Sequence, residues 1–507
     1  MEPSPSAAAR PAAPRARPRW PHVALAVGLL FYAWLLARQM RACAGGSDSS
    51  GYLNSARMLA EGRAAMPMRL LPGLDPATLP AYTHVPLGFV PDADLATMRP
   101  TYPVGLPLLA AAASRLASWD AAPGWVMGFH ALAGLGLVYL LARRAGLGAE
   151  WALLGALMLA ASPLYLFFAL QFMSDVPALV WVTAAIYLAW CSRERPGLAA
   201  AAGGAFALAV LVRPTNLLAA APLAIALGCS WPRWGLAALG GLPGAAFLAA
   251  YNVAAYGRIL TTGYGSVADQ FSWAVVPATL AHYAVWLPAL LSPFIVLAVA
   301  LSVPRGERRW PTVLLAAWAL LFLAFYLFDI HTHEFWWYLR FVLPAAPALI
   351  VAALRRAAAL VRPLRPWAVR CCLAAAAAAV VVNGLAWSRH LYLTAVVDEE
   401  LTYPQTAAWL REHVPANAVI ASMQTSGTLL YYTRFTFFRW DMIGRSEFER
   451  IERACAAQGR PIYAALFAYE IDAPDQGAFA RHLPGRWVRV GAARQTTFWR
   501  YAAPAAP

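Results

Sequence analysis

The sequence has no lysine; its 40 basic residues are all arginine. We read that bias, with the excess of alanine and proline, as codon composition rather than chemistry. Charge is scarce as well: 13% of 507 residues are charged, where a soluble chain carries roughly a quarter. That shortage excludes a soluble enzyme, and the apolar content excludes a disordered chain. Six cysteines in this length exclude a small disulfide scaffold, and the absence of a CxxC pair leaves no zinc spacing. What the chain has instead is apolar length: 61% hydrophobic residues, 21 Trp and a mean hydropathy of +0.53. These values specify a polytopic membrane protein.

A net charge of +15 could suggest nucleic acid, but the arginines sit between apolar runs, which points to membrane topology. Residues 1–19 are Pro/Ala/Arg-rich and are expected to be disordered. The first apolar run, with Ala42-Cys43-Ala44 after it, imitates a signal peptide. Arg38 and Arg41 intrude before that site, so an uncleaved helix is the better reading. Apolar runs long enough to cross ~30 Å of hydrocarbon are expected at 22–40, 124–142, 150–170, 176–191, 198–212, 216–231, 235–255, 281–302, 310–328, 338–354 and 368–387. With the N-terminus in the cytoplasm, alternate loops collect Arg143/Arg144, Arg193/Arg195, Arg233, Arg305/Arg308/Arg309 and Arg355/Arg356/Arg362/Arg365. The reading is therefore about eleven transmembrane helices, with a first outer loop at 41–123. A tail, residues 391–507, is expected to form an extracytoplasmic α/β domain after the transmembrane unit 20–390. Cys43 and Cys455 would both face outward, either paired or as two free thiols.

The outer loop begins GGSDSSGYLNSARMLAEGR, whose apolar positions from Tyr52 make one helical face lying on the membrane surface. RPTYPVGLPLLAA supplies a second interfacial helix. SDVPALVW puts Asp175 at the head of a span, LVRPTN puts Arg213 at the end of another, and DIHTHEFWWYLRF sets His331, His333, Glu334 and Arg340 beside an aromatic belt. Ionisable groups at a membrane boundary are expensive unless paired or solvated, so Asp48, Asp175, Arg213 and Arg340 are functional candidates. Each also has a plain structural alternative: helix capping for the two acids, snorkelling for the two arginines. Asp92 and Asp94 form a DxD string of a kind that arises easily by chance, and no histidine spacing selects a metal.

In order and sidedness these motifs, with LARRAGL after span two and WWYLRFVLPAAPAL before the tail, resemble the GT-C membrane glycosyltransferases. The likeness is to the branch of protein O-mannosyltransferases and lipid A aminoarabinose transferases, and it runs over roughly residues 22–390. The resemblance implies a sugar donor carried on a polyprenyl phosphate and transfer to an acceptor hydroxyl on the outer face of a bacterial inner membrane. The acceptor would be a lipid, glycan or protein. It implies Asp48 as general base, Asp175 as the second acid, and Arg213 and Arg340 on the leaving phosphate. Arg57, Arg63 and Arg99 are further phosphate candidates, with His84, Tyr102 and Glu334 lining the site. Many members carry paired acids where this chain has Asp48-Ser49, which leans toward the metal-independent branch; no cofactor is expected. The rival classes are a transporter or lipid flippase and a non-catalytic envelope-assembly subunit. Against the first, no internal repeat is evident and the ionisable residues gather at one surface rather than at the midplane.

Overall fold

The computed structural model describes residues 20–265, 268–299, 309–472, 479 and 482–502. The expected disorder of 1–19 and the topology arginines Arg305 and Arg308 lie outside the described residues. Seven described helices are long and apolar enough to cross a membrane: Trp20–Gln39, Ala122–Arg144, Trp231–Tyr256, Trp273–Leu290, Arg309–Tyr326, Trp336–Val361 and Pro366–His390. An eighth candidate is the pair Ala149–Ala160 and Pro163–Ala169, bent by 63°. Three shorter apolar helices, Asp175–Cys191, Leu198–Val212 and Pro214–Leu227, stand where further spans are expected. The chain is thus a multi-pass membrane protein.

The departures from uninterrupted spans have local causes. The stretch 150–170 breaks at Ser162-Pro163, where Ser162 Oγ accepts the Tyr165 N–H and Pro163 cannot donate to the preceding turn. Leu198–Val212 stops before Pro214, leaving Arg213 extended at φ −148° and ψ 116°. Gly203 and Gly240 let Leu198–Val212 lie against Trp231–Tyr256. A Cβ at Gly203 would collide with the Ala237 carbonyl, and one at Gly240 with that of Ala200.

The first loop holds helices Asp48–Ala60 and Gly105–Ala113 and a small antiparallel sheet of β1 (Met66–Pro67), β2 (Phe89–Pro91) and β3 (Thr97–Pro100), ordered β1-β3-β2. The C-terminal segment builds a five-stranded sheet from β4 (Val419–Ala421), β5 (Thr436–Phe438), β6 (Ile462–Phe467), β7 (Arg486–Ala493) and β8 (Thr496–Ala502), in the order β5-β4-β6-β8-β7. β4 runs parallel to β5 and β6, while β8 pairs antiparallel with β6 and β7. Both faces of its centre are covered. Ile420, Phe437 and Ala465 point to one side, with Leu410 and Leu429; Val419, Phe438 and Ala464 point to the other, with Phe448 and Ile451.

Loop and C-terminal segment share one core, because Met68, Val85, Phe89 and Met98 pack into the first of those faces. Arg69 donates to the carbonyls of Leu429, Leu430 and Phe435, and Arg439 N–H donates to the Thr83 carbonyl at 2.7 Å. Cys43 and Cys455 are free thiols: Cys43 Sγ donates to the Glu400 carbonyl at 3.3 Å, and Cys455 is buried in the C-terminal core.

Candidate active site

Asp48 is the first residue of its helix and follows the Gly45-Gly46 turn, where Gly46 takes φ +49°. Side-chain bonds fix this helix across the start of Asp175–Cys191. Ser49 Oγ donates to the Phe172 carbonyl at 3.1 Å, and Tyr52 Oη donates to Ser174 Oγ at 3.0 Å. The same Ser174 hydroxyl accepts from Arg213 Nε at 3.0 Å, while Arg213 Nη2 lies 2.8 Å from Asp175 Oδ1. Arg340 comes from the 3-10 stretch Trp336–Ala345 and donates from Nη1 to Asp48 Oδ2 at 2.8 Å. Residues far apart in sequence thus form two acid–arginine pairs joined through Ser174 and Tyr52.

These groups border a cavity of about 350 Å³ lined by Asp48, Tyr52, Tyr102, Arg213 and Arg340 and also by Gln270, Asp329 and His331. Tyr264, Phe271, Tyr326, Tyr338 and Phe341 supply its aromatic wall. Asp48 is one-quarter exposed, and it lines this cavity. Burial works to raise the Asp48 pKa. The Arg340 charge, hydrogen bonds from Tyr102 and Arg340, and the Arg213 charge outweigh it, so the carboxyl titrates below its ordinary range. Tyr102 Oη also bonds Ser47 Oγ at 2.6 Å. Arg213 and Arg340 are 13% and 17% exposed, and among the described residues Arg213 Nη1 and Arg340 Nε have no hydrogen-bond partner. Two nearly buried guanidiniums with spare donors are suited to an oxyanion such as a phosphate.

The structure sorts the remaining candidates. Asp175 is fully buried and does not line the cavity; it stands behind Arg213 in an ion pair without hydrogen-bond alignment, so its geometry is that of a positioning residue rather than a reacting one. Arg57 is drawn to the C-terminal segment, stacking 3.5 Å from the Tyr431 ring centroid and donating to its carbonyl at 2.6 Å. His84 is buried beneath β5, with Nδ1 2.9 Å from the Phe437 carbonyl; burial lowers its pKa and leaves a neutral ring. Arg63 pairs with Glu61 at the surface at 3.4 Å, and Arg99 pairs with Asp92. Asp94 accepts the N–H groups of Ala96 and Thr97, so the DxD string closes a turn. Glu334 reaches the cavity only through His331, 3.1 Å away. None of Arg57, Arg63, His84, Arg99 and Glu334 lines this cavity. Tyr52, Gln270 and Asp329 do, and the sequence had not singled them out for the site. Asp329 carried a usable signal: an acid just past a span end, like Asp48 and Asp175 beside theirs.

No protein-family profile matches the sequence, and no curated protein matches it. Solved structures do match in shape. ArnT from Cupriavidus metallidurans, bound to undecaprenyl phosphate, aligns at TM-score 0.57 and 14% identity, covering 96% of this chain and 99% of its own. The Archaeoglobus fulgidus oligosaccharyltransferase aligns at TM-score 0.52 and 12% identity over 96% of this chain and 74% of its own. The arabinofuranosyltransferase AftD from Mycobacteria aligns at TM-score 0.54 and 15% identity, over 96% of this chain and 40% of its own. The chain shares the fold of all three proteins.

Proposed function

We propose that the protein is a membrane glycosyltransferase that moves a sugar from a polyprenyl-phosphate carrier to an acceptor hydroxyl on the extracytoplasmic face. The observation that carries this reading is the cavity itself. A carboxylate and two arginines with unused donors meet beside an aromatic wall, on a fold shared with a protein solved bound to undecaprenyl phosphate. In the proposed topology the N-terminus is cytoplasmic, about eleven helices span 20–390, and residues 391–507 lie outside with the first loop.

Asp48 is the proposed base. The acceptor oxygen attacks the anomeric carbon as its proton passes to Asp48 Oδ, and the bond from that carbon to the phosphate oxygen breaks, releasing polyprenyl phosphate. Arg213 and Arg340 take up the charge growing on that phosphate through fixed N–H donors. In the resting site Arg340 depresses the basicity of Asp48. An entering phosphate competes for the same guanidinium, and as Arg340 turns toward it Asp48 loses its counter-charge and becomes the better base. Donor binding and base activation are thereby coupled. Asp175 holds Arg213 in place, and the arginines supply the positive charge, so the proposal uses no metal ion. A lipid-soluble carrier whose phosphate must meet cations at the interface suits a membrane-level cavity.

The test supplies protein in liposomes with a panel of polyprenyl-phosphate sugars and an envelope extract as acceptor, and follows release of free polyprenyl phosphate. Release from at least one donor supports the reading; none from any donor across the panel overturns it in favour of transport or scaffolding.

A further inference from the structure

Besides Arg213 and Arg340, the cavity is lined by Gln270, Asp329 and His331, which the reaction above leaves unused. These three are placed by backbone pairing between two loops. Phe271 and Asp329 form an antiparallel bridge, with Ser272 N–H donating to the Phe328 carbonyl at 2.8 Å and Ile330 N–H to the Gln270 carbonyl at 3.0 Å. Residues some sixty positions apart in sequence are thus fixed side by side. The turn after the bridge hangs from one oxygen of Asp329: Oδ1 accepts the His331 N–H at 3.1 Å, the Thr332 N–H at 3.1 Å and Thr332 Oγ1 at 3.0 Å. The other oxygen, Oδ2, accepts no hydrogen bond from any described residue, although the residue is 95% buried, at 5% exposure, and lines the cavity.

We infer that Asp329, with Gln270 and His331 beside it, is the recognition subsite for the donor's sugar ring, selecting neutral or amino-bearing sugars against those bearing a carboxylate. The inference rests on the function proposed above. Asp329 lines the cavity with one carboxylate oxygen that no described residue engages, and sugar hydroxyls and ammonium groups are donors for it. The nearby aromatic rings Phe271 and Tyr338 offer apolar surface to a sugar face. A hexuronate would set its carboxylate beside that of Asp329, a residue only 5% exposed, so like charges would meet where water screens them little. Burial raises the Asp329 pKa, partly offset by the bonds from Thr332 and His331, as expected of a carboxylate whose charge is incompletely matched. Arg213 and Arg340 are excluded from this role because their donors call for an anion.

The test compares two synthetic polyprenyl-phosphate donors, a hexose and the corresponding hexuronate, on full-length protein in liposomes. Asp329→Asn keeps the Oδ1 acceptor that holds the turn and removes the charge. Wild type is expected to favour the hexose in kcat/KM, and Asp329→Asn to narrow that preference about 10-fold, mostly through a gain on the hexuronate. Gln270→Glu, which adds charge at the same wall, is expected to widen it. Affinity for free polyprenyl phosphate, measured by displacement of a fluorescent analogue, should stay within about 2-fold in both variants, since Arg213 and Arg340 keep their phosphate donors. An unchanged sugar preference in both variants overturns the subsite, as does an equal loss of affinity for donor and free carrier. Failure of wild type to bind free polyprenyl phosphate at all instead removes the proposed function, and the subsite with it.

Discussion

Replacing Arg213 with glutamine strands a carboxylate. Asp175 has no exposure, its Oδ1 lies 2.8 Å from Arg213 Nη2, and neither of its oxygens accepts a hydrogen bond within the described residues. The pair therefore balances by charge alone, at the head of a helix whose dipole favours an acid but does not replace a cation. Removing one partner of such a buried pair costs about 3–5 kcal/mol, since the remaining charge keeps its desolvation penalty and loses its compensation. Replacing both with neutral amides removes the penalty with the attraction. Arg213→Gln should therefore destabilise the protein strongly, and Asp175→Asn with Arg213→Gln should recover most of the loss. The difference from additivity in a double-mutant cycle should be about 2 kcal/mol or more. The measurement is reversible denaturant unfolding in detergent micelles for wild type, both single variants and the double variant. Losses that add to within about 0.5 kcal/mol would refute the reasoning. The double variant separates stability from function: it should fold yet bind free polyprenyl phosphate weakly, because the Arg213 donors are gone.

Three more outcomes follow from other contacts. Glu400, held by burial and by the nearby Asp48 charge at a pKa of about 7, is more often protonated in the folded than the unfolded chain between its ordinary value and 7. Its effect on stability is thus absent below the window and becomes a penalty as pH rises through it; Glu400→Gln should leave stability at pH 4 nearly unchanged and raise it at pH 8 by on the order of 3 kcal/mol in the same unfolding assay. Arg57→Ala should weaken the seam between first loop and C-terminal segment, since it removes the stack on Tyr431 and a hydrogen bond. Limited proteolysis of the C-terminal segment should accelerate, while KM for the donor stays unchanged; a raised donor KM would restore Arg57 to the phosphate site. Gly203→Leu should push Leu198–Val212 away from Trp231–Tyr256 and lower the melting temperature by several degrees, because its side chain would meet the Ala237 carbonyl.

The legible part of this protein was what the membrane makes expensive. Asp48, Arg213 and Arg340 stood out as ionisable groups at span ends, and they converge on one cavity. The helical face from Tyr52 and the apolar run at LPLLAA were readable for the same reason, as periodicity against an interface. What the sequence could not show was which polar residues of the long first loop face the cavity. His84, Arg57 and Arg99 are as polar as Asp48, but their partners are Phe437, Tyr431 and Asp92, two of them set by a C-terminal segment more than three hundred residues away. Asp329 and Gln270 meet only through a backbone bridge without a side-chain signature. Broken spans were equally hidden: hydropathy runs smoothly through 150–170, while the bend at Ser162-Pro163 follows from capping and a missing N–H. Strand β5 is three residues long, too short for alternation to register.

The central claim is that Asp48 removes the acceptor's proton in a site loaded with a polyprenyl-phosphate sugar. The most direct measurement is single-turnover release of polyprenyl phosphate by wild type and Asp48→Asn, with donor affinity measured in parallel. The account predicts release slowed at least about 100-fold in the Asn variant. Donor affinity should be unchanged or tighter, because Arg340 no longer has a carboxylate to hold. Release at the wild-type rate with Asp48 replaced would contradict it.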